Sequence, residues 1–182
     1  YNTGGYGTPE PLCRMLPSFA PMYLTMNANY HSDEQFEYCD VFDPVVQQKM
    51  REVIQYEIGK QAGNSTLIGY YWTDTPQWDL ERSRKKRGTD WVSMIRELPA
   101  GAPGKIRYEQ FLADGGDSDE AFLRLIARQL YQVIGEETRR LAPDVLIFGE
   151  RYLVHDHPDC VIEEALPYID VLSIQPGGVQ FV

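Results

Sequence analysis

Two acids in this sequence stand where short apolar runs end. Asp74 follows Leu67-Ile68-Gly69-Tyr70-Tyr71-Trp72-Thr73, and Glu150 follows Val145-Leu146-Ile147-Phe148-Gly149. Two carboxylates across a cleft are what glycosidic bond cleavage uses: one protonates the leaving oxygen, and the other attacks or activates water. Tyr71, Trp72 and Trp78 lie close to Asp74 in the chain and can supply apolar platforms for the CH-rich faces of sugar rings. Arg151 can neutralise Glu150 or hold an anionic or hydroxyl-rich ligand. Each residue also has a plainer use. Trp72 inside an apolar run is a core residue as well, and Asp74 before Pro76 can simply build a turn.

Other apolar runs end in polar residues too. The opening segment ends in Asn2-Thr3, the next in Asn27-Ala28-Asn29, and the last in Gln175. In parallel α/β folds, chemistry gathers where strands deliver the chain into the following loop. A purely structural loop more often shows Gly, Ser or a helix cap at that place. The pattern therefore points to one shared ligand face made of Asn2, Asn27, Trp72, Asp74, Glu150, Arg151 and Gln175, with ordinary loop solvation as the alternative. Asp74 and Glu150 are its candidate acids, and the others position the ligand.

The remaining clusters carry less. His155-Asp156-His157-Pro158-Asp159-Cys160 is dense in metal-ligand types, but His157 before Pro158 reads more simply as the entry to a helix. His31 is a lone histidine in a polar stretch. Arg82 to Arg87 is a basic run without interleaved aromatics, as expected of a solvated surface or a salt-bridge partner. The Gly-Gly pairs lack the flanking pattern of a phosphate loop, so neither a metal nor a cofactor is expected. The 3 cysteines, Cys13, Cys39 and Cys160, have no zinc or disulfide-framework spacing, leaving a Cys13–Cys39 bridge as an open alternative.

The elements that must position these residues follow from periodicity. Pro21 to Met26, Leu67 to Trp72, Val145 to Phe148 and Val171 to Ile174 read as strands, and Tyr1 to Thr3 as the tail of another. Asp43-Pro44 starts a helix, an N-cap acid followed by proline at the first helical position. Val46, Met50, Val53, Ile54 and Ile58 form its apolar face. Residues 79–118 form a long charged excursion with short helices over Asp90 to Glu97 and near Ile106 to Leu112. Ser118 caps a strong helix with Asp119 and Glu120 in its first turn, and Phe122, Leu125, Ile126, Leu130, Val133, Ile134 and Leu141 form its stripe. Pro158 starts a last short helix. Apolar strands separated by helices mean a parallel sheet buried on both faces.

Composition narrows the partners. The 182 residues carry 17 Lys+Arg against 27 Asp+Glu, a formal charge of −10. That charge, and the lack of a basic interface, argue against nucleic acid. No apolar run approaches a membrane span, and no membrane partner is expected. The length is that of about one domain, read here as a single α/β unit over residues 1–182.

Taken together, Tyr1-Asn2-Thr3, Asp40-Val41-Phe42-Asp43-Pro44, Leu67-Ile68-Gly69-Tyr70-Tyr71-Trp72-Thr73-Asp74, Gly149-Glu150-Arg151-Tyr152 and Asp170-Val171-Leu172-Ser173-Ile174-Gln175 resemble the central part of agarase-like glycoside hydrolases. These are (β/α)8 barrels of the large retaining clan that also contains β-galactosidases. The resemblance implies barrel strands two to six, a partial (β/α)8 barrel with both flanks missing, and a polysaccharide or oligosaccharide ligand of galactose type. It places Asn2 and Thr3 at strand two, Asn27 at strand three, Asp74 at strand four, Glu150 and Arg151 at strand five, and Gln175 at strand six. The clan ends strand four with Asn-Glu, the Glu acting as general acid/base, where this chain has Asp74-Thr75. The clan's nucleophile belongs to strand seven, beyond Val182. Hydrolysis by this chain alone is therefore not assumed. Its rival readings are a non-catalytic carbohydrate-binding relative and a small open-sheet α/β domain of unrelated function. Open sheet edges, with their unpaired N–H and C=O groups, predict self-association.

Overall fold

A computed structural model describes residues 3–5, 8–22, 24, 38–72, 77–153 and 157–175. Five strands are formed: β1 (Ser18–Met22), β2 (Leu67–Trp72), β3 (Leu146–Ile147), β4 (Tyr152–Leu153) and β5 (Ile174–Gln175). Every strand pairing among the described residues is parallel. Gly4 bridges Ser18, β1 pairs with β2 (Met22 opposite Trp72), and β2 pairs with β3 (Tyr70 opposite Ile147). The contact runs past β3: the Phe148 amide donates to the Tyr70 carbonyl at 2.8 Å, and the Trp72 amide to the Gly149 carbonyl at 2.7 Å. Beyond Glu150 the chain turns its pairing to the other side, where β4 meets β5. The described strands thus form two parallel sheets, β1-β2-β3 and β4-β5, an open α/β arrangement consistent with a partial barrel.

The helices are α1 (Glu10–Cys13), α2 (Pro44–Lys60), α3 (Leu80–Arg87), α4 (Trp91–Glu97), α5 (Pro103–Ala113), α6 (Asp119–Leu141) and α7 (Asp159–Ala165). The Asp43 carboxylate accepts the Val45 amide and the Ser118 hydroxyl accepts the Ala121 amide, so both expected N-caps form. Helix α6 buries Phe122, Ile126, Leu130, Val133 and Ile134. Its Thr138 hydroxyl reaches the Met22 sulfur at 3.8 Å, and Tyr131 stacks on Trp72 with ring centres 5.9 Å apart. The face of the sheet bearing Met22 and Trp72 is therefore the helix-covered face. Phe19 and Phe148, on the opposite face, are only half-buried.

Some boundaries differ from expectation. The strand expected over Pro21 to Met26 begins earlier, at Ser18, because Ser18 and Phe19 pair with neighbours on both sides. Its expected end at Met26 lies outside the described residues. The basic run Arg82 to Arg87 belongs to α3, where Arg84, Lys85, Lys86 and Arg87 occupy the last turn and favour the helix dipole. Gly88, at φ 75°, closes that helix. Cys13, Cys39 and Cys160 are free thiols, so the Cys13–Cys39 bridge is not formed. Burial, helped by Asp40, pushes the Cys39 thiol up to about 12. Among the described residues, no helix is long and apolar enough to cross a membrane.

Candidate functional site

Because the strands run the same way, their C-terminal ends open on one rim. Trp72 ends β2, and its backbone bond to Gly149 sets it beside the residue that precedes Glu150. Gln175 ends β5 and lies opposite Leu153 in the β4–β5 register. Arg151 is exposed between β3 and β4. Trp72 and Gly149 meet at the C-terminal end of the three-stranded sheet, with Glu150 and Arg151 following in the chain, and Gln175 ends the separate β4–β5 pair. Asn2, Asn27 and Asp74 lie outside the described residues.

Glu150 has no solvent-accessible surface. The positive φ of 65° at Gly149 turns the chain just before it, and a side chain at 149 would meet Ile169 at 2.9 Å. One carboxylate oxygen, Oε2, receives the Trp78 indole N–H at 3.4 Å and lies 3.4 Å from Nε2 of His157. The side chain of His157 is itself 7% exposed and meets the Tyr152 ring edge to face at 5.0 Å. Two phenols belong to the same group. Burial raises Tyr131 well above the ordinary tyrosine value, and the neighbouring charges of Glu150 and Tyr152 push it further. Tyr152 is raised in the same way, by burial first and Glu150 second. Both phenols therefore stay protonated across the physiological range, and both hydroxyls are buried without a hydrogen-bond partner among the described residues.

An aromatic line runs through this group. Tyr38 meets Trp91 at 5.1 Å, Trp91 stacks on Trp78 at 5.0 Å, Trp78 meets Tyr131 at 5.9 Å, and Tyr131 stacks on Trp72. Trp72, Trp78, Trp91 and Tyr131 are all almost wholly buried. Trp72 and Trp78 thus present their rings to other rings rather than to solvent. The line carries the excursion of helices α3 to α5 onto α6 and the end of β2. A second tie comes from Asp40, whose carboxylate accepts the Gly104 amide at 2.8 Å and the Phe42 amide at 3.0 Å.

Sequence reasoning passed over Tyr131, Tyr152, Trp91 and Tyr38 and gave His157 a different use. Pro158, not His157, is the N-cap residue of α7, with no side-chain cap bond, and the imidazole is turned to Glu150. Tyr131 had a signal: it stands four residues after Ala127 and three before Ile134, on the buried stripe of α6. The contact between Trp78 and Glu150 spans 72 residues and has no local signature.

Comparison with known proteins bears on the fold. No family model matches the chain, and no curated protein matches it. Solved structures do. An exo-beta-agarase superposes with a TM-score of 0.74 at 15% identity, covering 96% of this chain and 29% of its own. The agarase AgWH50C gives a TM-score of 0.69 at 17% identity, covering 96% of this chain and 28% of its own. PfGH50B gives 0.72 at 13% identity, covering 94% and 30% respectively. At these identities the likeness is one of fold, the α/β arrangement of parallel strands alternating with helices, and the chain spans less than a third of the length of each.

Proposed function

We propose that this chain is the rim-bearing arc of an agarase-like glycoside hydrolase barrel, a single α/β unit whose ligand is a galactose-based polysaccharide or its oligosaccharides. The observation that supports the reading is an array of parallel strands, alternating with helices, that shares its fold with agarases and has Trp72 and Gln175 at strand ends and Glu150 and Arg151 just past β3. Asn2, Asn27, Arg151 and Gln175 are the proposed ligand-positioning residues and Asp74 the proposed acid. Trp72 and Glu150, which have no exposed surface, are proposed as support for the rim rather than as ligand contacts. Among the described residues β5 pairs on one side only, and its Ile174 is 55% exposed, which supports a proposed self-association.

Titration of the chain with agarotetraose by calorimetry, alongside a reducing-end assay on agarose, tests this reading. Saturable binding without release of reducing ends is the expected result, since a lone acid lacks the second carboxylate that hydrolysis requires. Absence of binding to agarose-derived oligosaccharides, together with binding to no other neutral saccharide, would overturn it.

A further inference from the structure

Among the described residues, Glu150 is a carboxylate past the end of β3 that the structure closes off from water beside aromatic rings. Two of its partners share a position in the architecture. Trp78 immediately precedes Asp79, the N-cap of α3, and His157 immediately precedes Pro158, the N-cap of α7. Both turn a ring N–H or ring nitrogen toward the same oxygen, Oε2, each at 3.4 Å. Trp78 also lies four residues beyond Asp74 in the chain. One side chain therefore touches the entry to the helix that follows β2 and the entry to the helix that follows β4.

We propose that Glu150 is a positioning residue, a buried clamp that ties the entry to α3, at Trp78, to the entry to α7, at His157, and so supports the saccharide rim without touching the saccharide. A carboxylate oxygen accepts hydrogen bonds from donors arriving from different segments. A buried polar group is costly unless it is held, which is a reason for an indole N–H to be turned onto Oε2. The aromatic line then links Trp78 to Trp91, at the start of α4, and through it to Tyr38. The effect on the ligand rests on the saccharide reading above; the clamp itself does not.

The experiment compares Glu150→Gln, Glu150→Leu and Trp78→Phe in the full 182-residue chain. The Trp78–Trp91 stack, 5.0 Å between centres and 17° between planes, should give an exciton couplet in circular dichroism. That couplet reports on the clamp without a ligand. Glu150→Leu should diminish the couplet and weaken agarotetraose binding about tenfold, the scale of a lost buried hydrogen bond. Trp78→Phe should abolish the couplet and weaken binding to a similar degree. Glu150→Gln keeps an acceptor for the indole and should retain the couplet and most of the affinity. A couplet unchanged in Glu150→Leu overturns the clamp. A Glu150→Gln variant that keeps the couplet but binds as poorly as Glu150→Leu overturns it also, because the charge would then act on the saccharide itself. Should Glu150→Leu fail to fold, a Glu150→Gln variant without the couplet would overturn the clamp and one that retains it would support it. If the unsubstituted chain binds no saccharide, the saccharide reading falls, and the couplet still decides the clamp.

Discussion

Phe148 occupies the space where a side chain on Gly69 would be. A Cβ at 69 would stand 2.5 Å from Cε2 of the Phe148 ring and 2.6 Å from the Leu146 carbonyl oxygen. Phe19, opposite Gly69 in the β1–β2 register, meets that ring edge to face at 4.3 Å. The three residues form one layer on the sheet face away from α6. Glycine inside a strand ordinarily weakens it by roughly 0.5–1 kcal/mol relative to alanine. Here the opposite sign is expected. A methyl group at 69 collides with the backbone of the paired strand as well as with a ring, and overpacking of that kind costs about 1–3 kcal/mol. Gly69→Ala should therefore lower stability in urea unfolding. A gain in stability would show that Phe148 swings aside freely.

Asp90 is the polar anchor of the excursion between β2 and α6. It has no exposed surface, and its carboxylate accepts the Val92 amide at 2.8 Å, the Ser93 amide at 3.0 Å and the Ser93 hydroxyl at 2.6 Å, with Arg84 at 3.2 Å. Loss of an N-cap together with the desolvated donors it satisfies should cost about 2–3 kcal/mol in Asp90→Ala. Asp90→Asn keeps the cap geometry and should cost less than about 1 kcal/mol. Paired urea titrations check the ordering. Equal losses would show that the ion pair between Asp90 and Arg84, rather than the cap, is what matters.

Legibility in the sequence follows the range of the interactions. The start of α2 at Asp43-Pro44, the span of β2 and the cap of α6 at Ser118 are decided within a few residues, by proline geometry, apolar runs and N-cap chemistry, and could be read directly. Helix α3 was hidden because its charged residues, exposed along most of its length, leave it almost no apolar stripe. The parallel direction of the strands could be inferred from apolar runs separated by helices. The surroundings of Glu150 could not, because Trp78 and His157 reach it from separate segments. Trp72 likewise reads as core or platform from the sequence, and only its stack on Tyr131 tells which way it faces.

Helix α7 is held to α6 by charge. Glu164 accepts Arg128 through both oxygens, at 2.8 and 2.9 Å, and Arg124 at 3.3 Å, with its side chain 12% exposed. The Arg128 hydrogen bonds outweigh burial and hold the Glu164 carboxyl below its usual range. A carboxyl depressed in the folded state lends stability above its unfolded pKa, near 4.3, and loses it as pH falls through the folded value. Stability should therefore decline as pH drops below about 5. Glu164→Gln should flatten part of that decline and, at pH 7, cost about 1 kcal/mol, since both arginines are substantially exposed and water screens them. Urea midpoints measured from pH 7 to 3 for both proteins test this. Parallel slopes would remove Glu164 from the acid response.

On the proposed reading, Arg151 contacts the ligand and Glu150 supports the rim. It stands next to Glu150 in the chain, yet one is exposed and the other has no accessible surface. An exposed guanidinium is the group that can form paired hydrogen bonds to sugar hydroxyls or acidic substituents, and its removal from a surface ordinarily changes stability by no more than about 0.5 kcal/mol. Arg151→Ala should therefore leave the urea midpoint in place while weakening agarotetraose binding about tenfold. Arg151→Lys keeps the charge but not the fork, and recovery of affinity by it would mean that charge alone is used. Unchanged affinity in Arg151→Ala would move the saccharide away from the β3–β4 junction and toward the β5 end of the rim.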